Sequence, residues 1–121
     1  MNCVFCEIIE KKQYLFENEL AVAFYDARPV SKGHILIIPK RHVETYFDLN
    51  EAEMNAIFEL SKKVKEYLDD LYHPAGFNVG FNVGEAGGQS VFHCHMHVIP
   101  RYRGDVERPR GGIRKIVKNN Y

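Results

Sequence analysis

His93-Cys94-His95-Met96-His97-Val98-Ile99 places imidazole at every second position of an otherwise apolar run. Side chains on a β-strand alternate faces, so a period of two predicts a strand over residues 91–99. His93, His95 and His97 then share one side, and Cys94, pointing the other way, belongs to the core. Pro100 is expected to stop this strand. The chain holds six histidines in 121 residues, and imidazole acts as base, nucleophile or metal ligand near neutral pH. Three of them on one strand face mark a site.

The elements around this strand follow from local pattern. Residues 1–12, with Cys3-Val4-Phe5-Cys6 and then Ile8 and Ile9, predict a short helix. Residues 14–17 and 20–25 flank Asn18-Glu19 as a hairpin, residues 27–33 form a loop with Pro29, Ser31 and Gly33, and residues 34–38 form a buried strand ended by Pro39. Asn50 caps a helix over residues 51–72, with an apolar stripe of Met54, Ile57, Phe58, Val64, Leu68 and Leu71 broken by Ser61. Glu51 and Glu53 lie near its start, where the helix dipole favours them. His73-Pro74-Ala75-Gly76 ends it, residues 77–83 form another strand, and residues 84–88 a glycine-rich turn. Strands without regularly alternating helical crossovers indicate an α+β domain with a mostly antiparallel sheet.

Composition narrows the function classes. A chain of 121 residues with 45% hydrophobic residues fits one domain around one core. Zero formal net charge gives no bulk attraction for nucleic acid or a membrane surface. The charge is uneven, however. From Arg101 onward seven basic residues (Arg101, Arg103, Arg108, Arg110, Arg114, Lys115, Lys118) face Asp105 and Glu107. A basic tail of this kind either holds a phosphorylated ligand or is simply solvated. No apolar run reaches membrane-spanning length, no signal peptide is evident, and three cysteines do not form a disulfide scaffold. The expectation is a cytoplasmic protein.

Before the histidine row stand Asn82, Gly84, Gly87, Gly88, Gln89 and Ser90. Glycines let backbone N–H groups approach phosphate oxygens, and Asn82, Gln89 and Ser90 add neutral donors. Paired glycines alone more often make a tight turn. Beside three imidazoles the loop becomes a phosphate cradle next to a nucleophile, suited to in-line attack on phosphorus.

The row from His93 to Ile99 preceded by Gly88-Gln89-Ser90, together with Phe24-Tyr25-Asp26 and Gly33-His34-Ile35-Leu36-Ile37-Ile38-Pro39-Lys40-Arg41-His42, resembles the histidine triad superfamily of nucleotide hydrolases and transferases. The resemblance covers residues 3–103 and leaves 104–121 as a basic tail on a single domain of residues 1–121. It implies a short amino-terminal helix, one long helix and a mostly antiparallel sheet of about five strands. It further implies that His95 attacks an α-phosphorus to form a nucleotidyl-histidine, with the backbone carbonyl of His93 holding its far ring proton. His97 would contact the phosphate or leaving group, and Gln89, Ser90, Asn82 and Gly88 would surround the phosphate. A Ser90 hydroxyl could help protonate the leaving group. Asp26 would bind the ribose of a purine nucleotide or dinucleotide, and Val4, Phe5, Ile8, Phe24 and Ala27 would line the base pocket or simply fill core. His34 is expected to be structural, bonded near the triad strand, and a homodimer is implied.

Cys3-x-x-Cys6 supplies two thiolates of a zinc site, or a redox pair, or buried core. Family members with such an amino-terminal pair resemble a structural zinc site completed by the histidine after Pro39-Lys40-Arg41, here His42, and by His93. The tail resembles bacterial members assigned to diadenosine polyphosphate hydrolysis, where its basic side chains would contact distal phosphates or, equally, face a dimer partner; dinucleoside polyphosphates are the leading substrate, with nucleoside phosphoramidates left open. Two alternatives stay open: a catalytic metal on the histidine row, and a nucleotide-binding scaffold without turnover.

Overall fold

Asn50 opens the long helix by a reciprocal cap. Its side chain accepts from Glu53 N at 2.8 Å, and the Glu53 carboxylate accepts from Asn50 N at 3.0 Å. In this computed structural model, which describes residues 2–117, the helix α2 then runs Glu51–Tyr72 and ends on His73 in the left-handed conformation before Pro74. It buries Ala56, Ile57, Leu60, Val64 and Leu68, residues three and four apart on one stripe. Phe58 and Leu71, expected in that stripe, are exposed. The inward stripe runs through Leu60 instead and leaves both on its flanks.

A shorter helix, α1 (Val4–Glu10), starts from Cys3 as its cap, and five strands form one sheet. These are β1 (Phe16–Glu17), β2 (Ala21–Tyr25), β3 (Ile35–Pro39), β4 (Gly76–Phe81) and β5 (Met96–Arg101), in spatial order β1-β2-β3-β5-β4 with every pair antiparallel. Layer by layer, Ala23 lies opposite Ile37 and Ile37 opposite Met96, under α2. One position along, Phe24 lies opposite Leu36 and Leu36 opposite His97 on the other face, where Cys3 and Phe5 pack. Both faces of β2 and β3 are covered, which is why their sequences read as unbroken apolar runs.

The histidine strand starts later than its alternation suggests. Only Met96–Arg101 is strand, so His93 and His95 precede it. Pro39 has no N–H to extend the β3 ladder, its carbonyl faces His93 Nε2, and the Cys94 amide turns to Val43 O at 2.7 Å. Pro100 continues the strand rather than ending it. It lies beyond the last β3–β5 pair, and its carbonyl accepts from Ser31 Oγ at 2.7 Å. The first hairpin arm shrinks from residues 14–17 to Phe16–Glu17, and the strand expected over residues 77–83 is Gly76–Phe81.

No helix among the described residues is long and apolar enough to cross a membrane. Lys118, counted in the basic tail, lies outside the described residues, as does Met1.

Candidate active site and metal centre

Each histidine of the row has one ring nitrogen assigned by a neighbour. His93 Nε2 lies 2.9 Å from Pro39 O. A carbonyl only accepts, so Nε2 carries the proton and Nδ1 presents a lone pair. That lone pair points at Cys3 Sγ (3.4 Å) and Cys6 Sγ (3.5 Å), while His42 Nδ1 lies 3.3 Å from Cys6 Sγ. The four donor atoms lie within 4.8 Å of one another. Tetrahedral zinc with ordinary Zn–S and Zn–N bonds sets sulfur and nitrogen about 3.5 Å apart. Cys3, Cys6, His42 and His93 therefore fit that ion, and the His93–Pro39 contact is the outer hydrogen bond that orients a ligating imidazole. Burial, then the adjacent Cys3, pushes the Cys6 thiol up to about 11; a cation between the sulfurs reverses that tendency.

His95 is held by the same logic with the nitrogens exchanged. Its Nδ1 donates to His93 O at 2.9 Å, which leaves the Nε2 lone pair free. Burial lowers its pKa, against the raising effects of the His93 carbonyl and Asp26, so the ring is neutral at pH 7. The Phe5 ring stands edge-on at 5.1 Å from the His95 ring and packs against Phe24 at 5.4 Å. A neutral, braced imidazole with one bare nitrogen is equipped for nucleophilic attack.

His97 shares this face, its ring 5.0 Å from that of His95. Its Nδ1 lies 2.9 Å from His34 Nε2, and its Nε2 is the one buried side-chain nitrogen or oxygen without a hydrogen-bond partner among the described residues. A cleft of about 370 Å³ opens beside it, lined by His34, Asn82, Gly80, Ile99 and Ile113. Asp26 sits at the other side of His34, with Oδ2 3.5 Å from His34 Nε2 and Oδ1 accepting from Arg28 N at 2.9 Å.

The glycine-rich loop departs from expectation at one residue. Gln89 is buried, its Oε1 accepts from Gly84 N at 2.9 Å, and its Nε2 donates to Glu44 O at 2.6 Å and Val91 O at 3.1 Å. With its amide fully engaged by backbone, Gln89 braces the loop rather than offering its side chain to a phosphate. Gly88 takes φ +95°, open to glycine and strained for other residues. Ser90 and Asn82 are solvent-exposed, so their side-chain donors are accessible, whereas the Gly88 amide, expected at the phosphate, already donates to Glu85 O at 3.0 Å.

Of the residues assigned to a base pocket, Phe5 and Phe24 are buried behind His95 and Ile8 is half-buried beside them. Val4 and Ala27 are exposed at the surface. Cys94 is buried, as a core residue should be. In the tail, Arg101 is committed within the protein: its guanidinium donates to both Asp105 carboxylate oxygens at 2.7 and 2.8 Å and to Asn78 Oδ1 at 2.6 Å. Arg103, Arg108, Arg110, Arg114 and Lys115 are exposed. The His34–His97 contact joins residues 63 apart in the chain. The sequence places His34 near the triad strand but does not name His97 as its partner.

The geometry has counterparts among known proteins. The HIT domain model matches residues 9–104. Protein hit of Bacillus subtilis is 42% identical over 108 residues, spanning 86% of this chain and 74% of that one. The crystal structure of a Zn-bound histidine triad family protein from Mycobacterium smegmatis superimposes with a TM-score of 0.79 at 33% identity, covering 87% and 78% of the two chains. The asymmetrical bis(5'-nucleosyl)-tetraphosphatase of Schizosaccharomyces pombe is 33% identical over 93 residues, spanning 77% of this chain and 51% of that protein. With its α+β fold, its five-stranded antiparallel sheet and these relatives, the chain belongs to the HIT (histidine triad) family of nucleotide-binding proteins and hydrolases.

Proposed function

We propose that this protein hydrolyses dinucleoside polyphosphates at the α-phosphate through a nucleotidyl-histidine on His95, releasing a nucleoside monophosphate. The carrying observation is the His95 Nδ1–H to His93 O bond of 2.9 Å, which leaves the Nε2 lone pair available for attack. In the first step the Nε2 lone pair forms an N–P bond while the P–O bond to the leaving phosphate chain breaks, the electron pair departing with oxygen. The imidazole becomes cationic, and the His93 carbonyl stabilises that charge through Nδ1–H. Water then attacks phosphorus and releases one proton to solvent, the N–P bond breaks with its electron pair returning to Nε2, and His95 is again neutral.

Around this centre Asp26 accepts the ribose hydroxyls. Asn82 and Ser90 surround the phosphate, with Gly88 turning the chain beside them, and His97 Nε2 faces its oxygens. Phe5, Phe24 and Ile8 form the wall behind a purine, with Val4 and Ala27 at its rim. The exposed tail arginines suit the distal phosphates. Zinc on Cys3, Cys6, His42 and His93 supplies a structural clamp that fixes the His93 backbone. The kinship with a tetraphosphatase favours this substrate class. The edge of β4, unpaired among the described residues, with exposed Val79, and exposed Phe58 and Leu71 on α2, supply surface for a homodimer. Three free cysteines agree with a cytoplasmic setting.

The test is release of adenosine monophosphate from diadenosine tetraphosphate and from adenosine phosphoramidate by wild type and His95→Ala. Faster release from the dinucleotide, abolished in the folded variant, is expected. Preference for the phosphoramidate would reassign the substrate, and turnover by His95→Ala would remove the mechanism.

A further inference from the structure

We propose that His34 is a positioning residue that fixes the tautomer of His97, so that His97 meets the substrate as a neutral Nε2–H hydrogen-bond donor and not as a proton source. The chain of deduction starts at a backbone amide. Val30 N lies 3.1 Å from His34 Nδ1, and an amide N–H only donates, so His34 Nδ1 accepts. Burial disfavours the doubly protonated ring, which places the single proton of His34 on Nε2. That N–H faces His97 Nδ1 at 2.9 Å, with the Asp26 carboxylate at 3.5 Å holding the proton on the same nitrogen. His97 Nδ1 therefore accepts, and a neutral His97 carries its own proton on Nε2, the buried nitrogen that has no partner among the described residues.

The loop that supplies the Val30 amide is built to hold it. Asp26 N donates to His34 O at 3.0 Å and His34 N to Ser31 O at 3.2 Å. Ser31 Oγ fastens the loop to Pro100 on β5, the strand that carries His97. Gly33 turns the chain at φ +90°, where a Cβ would meet Tyr72 at 2.9 Å. Neutrality of His97 has the same source as its isolation: burial, then His95 and His34 beside it, lower its pKa to about 4. A neutral imidazole N–H hydrogen-bonds to a phosphoryl oxygen without transferring its proton near pH 7.

Asp26, His34 and His97 also converge closely enough to suggest a cation. Binding one would need bare lone pairs on His34 Nε2 and His97 Nδ1, and the Val30 amide has already directed the proton of His34 to Nε2.

The first test is the tautomeric state of His97 by long-range proton–nitrogen NMR of the full chain at neutral pH, in wild type, His34→Gln and His34→Leu. Gln can place an amide N–H where His34 Nε2 stands; Leu cannot. Wild type and His34→Gln should show protonated Nε2 and unprotonated Nδ1, and His34→Leu a tautomer mixture. In the kinetic arm, which alone rests on the hydrolase reading above, His34→Leu should lower kcat about tenfold to a hundredfold with little change in KM. His34→Gln should recover most of that loss. His97 protonated on Nδ1 or on both nitrogens in wild type would overturn the proposal. So would an unchanged tautomer in His34→Leu, or damage by Gln equal to that by Leu. If His34→Leu does not fold, the wild-type and His34→Gln spectra decide. The spectra need no substrate, so a failure of the proposal is distinguishable from a failure of the hydrolase reading.

Discussion

Gln89→Ala should damage folding before it damages phosphate binding. The side chain is buried and satisfies three backbone groups, the Gly84 amide and the carbonyls of Glu44 and Val91. A typical intramolecular hydrogen bond contributes about 1 kcal/mol net, and a buried group left unpaired costs more. Removing all three therefore destabilises by about 2–4 kcal/mol. An unfolding entropy of about 2 cal/mol/K per residue gives roughly 4 °C per kcal/mol for a chain of this length, so the melting temperature should fall by about 8–16 °C. Gln89→Glu is a sharper variant: the carboxylate can accept from Gly84 N but places a buried charge against two carbonyls, so it should be at least as destabilising. Differential scanning calorimetry measures both. A melting temperature within about 2 °C of wild type, joined to a large rise in KM, would refute the reasoning and return the Gln89 amide to the phosphate.

Three further outcomes follow from the same structure. Gly33→Ala should destabilise by about 1–3 kcal/mol, because φ +90° disfavours any side chain and the new Cβ would lie 2.9 Å from Tyr72; a urea midpoint equal to wild type would contradict this. Acid should weaken the fold between about pH 6.5 and 4. A histidine in the unfolded chain takes up its proton near 6.5 but His97 in the folded chain only near 4, so this contribution, of the order of 3 kcal/mol, is complete above 6.5 and is lost as pH falls through that window. Urea titrations at several pH values should show the loss, and His97→Asn should reduce it. A zinc chelator, or Cys6→Ser, should lower both the melting temperature and turnover, because His93 joins the metal site to the carbonyl that holds His95. Zinc should restore the chelated wild type and not Cys6→Ser; insensitivity of both quantities would contradict the fit.

The parts of the molecule that are local in sequence were legible there. The Asn50 cap and the stop at His73-Pro74 bounded α2, and the alternating histidines announced the site; that Glu53 returns the cap needed the structure. What escaped was set by distant partners. The late start of β5 depends on Pro39 and on the Cys94 amide choosing Val43. Gln89 looked like a phosphate donor because its position beside glycines is visible and its three backbone partners, one of them 45 residues away, are not. Phe58 and Leu71 fit a helical period but lie off the stripe that faces the sheet. His34 was expected near the triad strand, but its particular partner, His97 Nδ1, emerged only when β3 and β5 were paired.

The central claim concerns the bond formed at His95, and trapping that bond tests it most directly. Wild-type protein mixed with diadenosine tetraphosphate, quenched by denaturation without acid on the timescale of one turnover and digested, should yield a peptide carrying one adenylyl group on His95. The adduct should disappear at the rate at which adenosine monophosphate appears. Rapid hydrolysis with no adduct on any histidine, or an adduct that outlasts product release, would contradict the account.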